Sequence, residues 1–482
     1  MRVLGSFICC FVLVCAACSD KQLENTPKPI VINAEIDSFV RFNHEQGTFN
    51  GGVLVVQNDS IVYRNLIGWE DNAKQIALTD SSRFYIASVS KPFTALAIMQ
   101  LQEQGKLNVE DPISKYFEDF PSYADSVSLR HLLTHTSGIP NHYDLGMQEE
   151  GMTNQDVLDE VKKHPLLFQP GEQYAYSNSG YIMLGVIVEK VTGRSLNTYL
   201  EEAVFKPLGM KNTQVHDGSQ TVPNKVIGTN KFGEAFPYPF YTTGAGGMYS
   251  TIDDLHLWER TLYDFKIISE KSMERAHQQT QLLDSTFSDY GFGWHNAQNE
   301  DGKTIKTFHT GGAAGYASFV FRDLETQSSV IIVSSCGKAF NLGAFANALT
   351  GFLKGDTIQH PKIPISIAFK RKMDAAMPDS IAAELEMLKA NEMYRVSEGD
   401  INDLGYYCLE NGQATVANQI FEKNTQWYPD SWNTYDSYAE SFVALKQYDR
   451  AEANYRKALE LQPDVADIEA ALDKLKKSWT KE

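Results

Sequence analysis

Two pairs of β-branched runs stand at opposite ends of a long segment, and this spacing limits the folds open to the chain. Gly52–Gln57 and Ile61–Ile67 flank Asn58-Asp59-Ser60 and read as a β-hairpin. Tyr316–Arg322 and Ser328–Ser334 read as a second antiparallel pair joined by a short turn. Helical spacing precedes the first pair (Ile36, Phe39 and Val40, ending at Gly47), and helices and loops fill about 85–265. A further helix is expected at about 340–354. One sheet must then be assembled from the two ends of the segment, which makes residues 33–355 an α+β domain.

The C-terminal residues repeat at a spacing of 34: Leu404-Gly405 aligns with Tyr438-Ala439, Cys408 with Phe442, Ala417 with Ala451, Phe421 with Tyr455 and Pro429 with Pro463. Small residues let paired helices approach, aromatics fill between them, and each proline ends a second helix. This resembles the tetratricopeptide repeat and implies an all-α tail over 381–482, with two repeats over about 398–465 and a capping helix after Pro463. An ordinary helical bundle is the alternative. Such a tail can brace the enzyme or hold a protein partner in its groove. Pro361, Pro364 and Pro378, with little periodic signal, mark 356–380 as a linker.

At the N-terminus, Met1-Arg2 precedes an apolar stretch from Val3 to Ala17, too short to span a bilayer. Ala16-Ala17-Cys18 follows, so 1–18 resembles a bacterial lipoprotein signal in which Cys18 carries the lipid; an ordinary secretory signal is the alternative. Residues 19–32 read as a tether. The expectation is an exported cell-envelope lipoprotein of the periplasm or outer membrane, held to the membrane by its anchor. A formal charge of −18 excludes a basic nucleic-acid footprint. Of six cysteines only Cys336 and Cys408 lie beyond residue 18, in different domains, so no structural disulfide is expected.

Three separated motifs carry chemistry. Ser88-Val89-Ser90-Lys91 heads an apolar helix, with Pro92 confined to its first turn. Ser88 and Lys91, three apart, share a face, and a buried amine there can activate the hydroxyl. Ser335-Cys336-Gly337-Lys338 has the same spacing but ends a strand, so no helix aligns its pair. Tyr176-Ser177-Asn178 sits on a loop before a helix at about 180–192. A tyrosine beside a lysine can have its phenol lowered into a base, and Asn178 can donate to a substrate amide oxygen. Tyr63-Arg64-Asn65 fits the same spacing but falls in the hairpin, where a structural role is expected. The third element, His309-Thr310-Gly311-Gly312, precedes the strand at 316. Glycines there let a substrate backbone approach closely. One of their N–H groups, with that of Ser88, would form an oxyanion hole.

This order, with Phe84–Ser88, His131–Gly138, Gly244–Thr251 with Asp253, and Tyr290–Trp294, resembles the serine β-lactamase and penicillin-binding protein superfamily over about 35–355. The nearer likeness is to class C β-lactamases and D-alanyl-D-alanine carboxypeptidases. The resemblance implies an antiparallel sheet flanked by helices, a helical lobe, and a site between them. It implies Ser88 as acylated nucleophile, Lys91 and Tyr176 as shared base, and Asn178, His309, Thr310, Gly311 and Gly312 as substrate-binding residues. His309 stands where class C enzymes carry lysine, which points to slow acylation, peptide hydrolysis or ester hydrolysis over efficient β-lactam turnover. The substrates implied are D-amino-acid peptides, small esters or β-lactams, with no cofactor and no metal. His131 and His135, four apart, read as structural histidines, and Gly244-Ala-Gly-Gly as a turn near the cleft. The alternative function is a catalytically weak or inactive protein serving as a scaffold through its tail.

Overall fold

Consecutive valines and isoleucines build a sheet that is covered on both faces. Its strands are β1 (Gly51–Gln57), β2 (Ser60–Ile67), β3 (His295–Gln298), β4 (Thr304–Ala313), β5 (Tyr316–Asp323) and β6 (Ser328–Ser334). They lie in the order β3-β4-β5-β6-β1-β2, each antiparallel to its neighbour. The two ends of the segment meet where Val53 opposes Ile332, as the sequence implied. The β1–β2 turn uses Asn58 and Asp59 at φ 48° and 65°, the left-handed pair that a tight hairpin needs. The computed structural model describes residues 31–463 and 465–479; the expected signal 1–18 with Cys18, and nearly all of the tether, lie outside the described residues.

Alternation within each strand separates two cores. Val53, Val55, Val330 and Ile332 face α1 (Ala34–Glu45) and the helix near residue 345, while Leu54, Val56, Ile331 and Val333 face the helical lobe. The lobe includes α2 (Lys91–Glu103), α3 (Asn178–Thr192) and α4 (Ile252–Asp264). Helix α2 is buried on every side from Lys91 to Leu101, which suits its uniformly apolar sequence. Helix α5 (Leu342–Leu353) completes the other face with Phe345 and Leu349.

Residues 356–380 are not a linker. They hold α6 (Ile365–Ala375), whose Ile365 and Phe369 are fully buried. Those side chains join Leu385 of α7 (Ile381–Lys389) and Ile401 and Leu404 of α8 (Glu398–Glu410) in a third core. Pro361, Pro364 and Pro378 flank this helix and do not interrupt it. The tail continues as α9 (Ala414–Trp427), α10 (Trp432–Ala444), α11 (Tyr448–Leu461) and α12 (Ala466–Trp479). Helices α8 and α9 cross closely at Gly405, where a Cβ would lie 2.3 Å from the Phe421 ring. The tail is seated on the α+β domain. Lys231 Nζ lies 2.8 Å from both Asp400 and Asp403 of α8, and the Phe232 and Tyr407 rings are 4.6 Å apart. Cys336 and Cys408 are buried and unpaired. Among the described residues no helix is long and apolar enough to cross a membrane.

Candidate active site

The site begins with a strained turn. Ala87–Ser90 forms one turn of 3₁₀-helix running into α2, and Ala87 takes φ +46°, a conformation costly for a residue with a Cβ. The surroundings impose it. Ile86 N–H donates to Met248 O at 2.9 Å, Ser318 Oγ donates to Ile86 O at 2.6 Å, and Ser90 Oγ donates to Ala87 O at 2.6 Å. Ser88 is the residue of this turn left half-buried, facing the cleft, while Ala87, Val89 and Ser90 are buried.

Lys91 is fully buried. Its Nζ lies 3.0 Å from Ser88 Oγ, 2.8 Å from Asn178 Oδ1 and 2.9 Å from the Ala245 carbonyl. Burial drives its pKa well below the ordinary lysine value, because no carboxylate compensates the lost hydration. A neutral amine has two N–H bonds and one lone pair. The two carbonyl-type oxygens can only accept, so they hold both N–H bonds. The lone pair is thereby left to Ser88. The fold thus sets an amine, and no histidine, against the Ser88 hydroxyl.

Tyr176 neighbours the Ser88 side chain, and its ring face is 4.7 Å from Lys91 Nζ. The expected phenolate is absent. Burial holds the phenol above its ordinary pKa. Tyr176 therefore stands beside Ser88 as a phenol that burial keeps protonated. His135 packs on its ring at 4.2 Å and accepts Ser177 N–H at Nδ1, which fixes the loop. His131 caps its own short helix with Ser128, so both histidines are structural. Asn178 opens α3, and one N–H of its amide donates to Asn141 Oδ1 at 3.2 Å. Asn178 Oδ1 accepts from Lys91, and the second N–H of its amide remains to donate.

The third motif lies within strand β4, directly ahead of β5. His309 is buried, and burial drives its pKa well below the usual value. Nδ1 lies 2.7 Å from Thr310 O, which can only accept, so Nδ1 carries the proton; Nε2 then accepts from the Tyr290 hydroxyl at 2.9 Å. His309 is thus neutral and turned to Tyr290, neither cationic nor directed at Tyr176. Thr310 is exposed. Gly311 permits close approach to the catalytic turn, since a Cβ there would lie 2.4 Å from Ile86 O. Gly312, with Ala313, Ala245 and Asn178, borders the same cleft as Ser88.

Asn141 and the Ala245 carbonyl escaped the sequence reading. Asn141 lies just past the His131–Gly138 stretch, and Ala245 inside the Gly244–Gly247 turn, so proximity to recognised motifs was the available signal. The two discounted matches are where the sequence put them. Ser335 directly follows β6 and donates to Asn50 O, while Arg64 of Tyr63-Arg64-Asn65 pairs with Asp253 at 2.6 Å.

Residues 36–350 match the beta-lactamase family model. Penicillin-binding protein 4* of Bacillus subtilis (strain 168) is 32% identical over 321 residues, which are 60% of this chain and 69% of that protein. The penicillin binding protein from Bacillus halodurans superposes with a TM-score of 0.55 at 26% identity, covering 62% of this chain and 94% of that one. A D-amino acid amidase from Ochrobactrum anthropi SV3, complexed with L-phenylalanine, gives a TM-score of 0.54 at 25% identity and covers 63% of this chain and 92% of that one.

Proposed function

The chain belongs to the beta-lactamase and penicillin-binding protein family of serine hydrolases, and we propose that it acts through an acyl-enzyme on Ser88, on D-amino-acid peptides, small esters or β-lactams. The carrying observation is the buried Lys91 amine, 3.0 Å from Ser88 Oγ with its N–H bonds held elsewhere. Ser88 Oγ attacks the acyl carbon while its proton passes to Lys91 Nζ. The bond to the leaving amine or alkoxide breaks, and that group takes the proton back through Lys91 and Tyr176. Water then adds to the acyl-serine by the same route, releasing the acid and restoring the hydroxyl. Backbone N–H groups of Ser88 and the β4 edge stabilise the oxyanion.

His309, turned to Tyr290, supplies no cation for a substrate carboxylate, and this supports ester hydrolysis over β-lactam turnover. One purified sample assayed on nitrocefin, p-nitrophenyl acetate and a D-alanyl-D-alanine peptide tests that order. The expected result is ester or peptide hydrolysis with poor nitrocefin turnover; nitrocefin preferred over both would overturn it.

We read the tail as a short tetratricopeptide stack, supported by its 34-residue period and its successive helical hairpins. We read the N-terminus as an export signal with lipid on Cys18. Incorporation of labelled palmitate in cells, lost in Cys18→Ala, tests the second reading.

A further inference from the structure

A cavity of about 690 Å³ adjoins the catalytic cleft, and the two share Tyr143, Tyr238, Gly312 and Ala313 in their linings. Its far wall is helix α8, through Asp403, Tyr406, Tyr407 and Glu410. Those residues lie outside the family match at 36–350, so this wall belongs to the tail of this chain. The wall is anchored. Asp400 accepts from Lys231 Nζ at 2.8 Å and from the Ser366 hydroxyl at 2.6 Å, which ties α8 to the 230–240 loop and to the start of α6.

The surface inside is aromatic. Phe236, Phe240 and Tyr406 line it, and Phe236 is 52% exposed there. A large apolar side chain left open beside a catalytic cleft is an unfilled contact. Strand β4 leads from one site to the other. It pairs with β5 through Ala313, whereas β3 stops opposite Phe308. Among the described residues no strand covers its other side from His309 to Ala313. That edge passes the catalytic turn at Gly311 and ends in the cavity at Gly312–Ala314. A free strand edge binds extended peptide through main-chain hydrogen bonds, with alternate side chains entering pockets. A fatty acyl chain has no amides to use that edge.

We propose that α8 and the 230–240 loop form a peptide-binding groove, and that the substrate is a peptide of several residues whose acyl-side chain lies along β4 and carries an apolar side chain into this groove. This deepens the hydrolase reading above and rests on it. Loss of a single terminal residue leaves only the acyl side long enough to fill such a groove.

The test uses the full-length protein and N-acylated peptides of two to five residues ending in D-alanyl-D-alanine, with p-nitrophenyl acetate as the short reference. In the wild type, kcat/KM should climb at least tenfold with peptide length, chiefly through KM. Phe236→Ala and Tyr406→Ala should each flatten that climb and lower the peptide-to-acetate ratio of kcat/KM by tenfold or more. A wild type indifferent to peptide length overturns the groove while its acetate hydrolysis keeps the hydrolase reading. Variants that leave the length dependence intact also overturn it. A climb with the aliphatic length of p-nitrophenyl esters, and not with peptide length, overturns the choice of peptide. Absence of any hydrolysis in the wild type removes the underlying reading instead.

Discussion

Gly311→Ala is the most informative single perturbation of the catalytic turn. The added methyl would lie 2.2 Å from Ser318 Oγ, 2.4 Å from Ile86 O and 3.2 Å from Ala87 Cβ. Ser318 can rotate, but that would break its 2.6 Å bond to Ile86 O. The Ile86 carbonyl cannot rotate freely, because its residue's N–H is held by Met248 O at 2.9 Å. Restoring ordinary contact requires a relative shift of about 1 Å between β4 and the turn that carries Ser88. Overpacking of this kind costs about 1–3 kcal/mol. A displacement of about 1 Å in a catalytic group costs about 100-fold in rate. The variant should therefore show a modest fall in apparent Tm and a fall in kcat/KM for p-nitrophenyl acetate far larger than the stability change explains. Gly312→Ala is the control: nothing lies within 4 Å of its Cβ, so Tm should hold. Activity of Gly311→Ala within fivefold of wild type at unchanged Tm would refute the reasoning.

Because burial depresses the Lys91 pKa and the neutral amine is the base, kcat/KM should rise with pH through a limb well below the ordinary lysine value; a limb near 10.5 in a pH–rate profile would contradict this. Arg322 and Glu259 are both buried, with Nε 3.4 Å from Oε1, so Arg322→Met should strand the carboxylate and cost about 3–5 kcal/mol in denaturant unfolding. The double variant with Glu259→Leu should recover much of that. Gly405→Ala meets the Phe421 ring at 2.3 Å, and calorimetry should find the transition of the tail lowered by about 1–3 kcal/mol.

Much of this was legible before any coordinates. The hairpin, the second strand pair and the helix after it show because long β-branched runs end at clear turn residues. Ser88, Lys91 and Tyr176 come together because their motifs sit at the starts of elements whose apolar faces fix the approach. Strand β4 was hidden: Thr304–Ala313 carries charge, polar residues and two adjacent glycines, and its extended form comes from β3 and β5. Helix α6 was hidden by flanking prolines, although Ile365 and Phe369 are spaced for one face. Protonation states were the least visible. The sequence sets an amine beside Ser88, but only the fold shows the burial that lowers the Lys91 and His309 pKa values and raises that of Tyr176. The partners of Asn178, with Oδ1 on Lys91 and Nδ2 on Asn141, show only in the fold.

The most direct measurement is the intact mass of the protein after exposure to a fluorophosphonate or a fluorescent penicillin, followed by peptide mapping. One adduct on Ser88, abolished in Ser88→Ala and slowed by orders of magnitude in Lys91→Met, is the expected result. No adduct with any serine-directed probe, or an adduct on Ser335 in its place, would contradict the assignment of Ser88 as nucleophile.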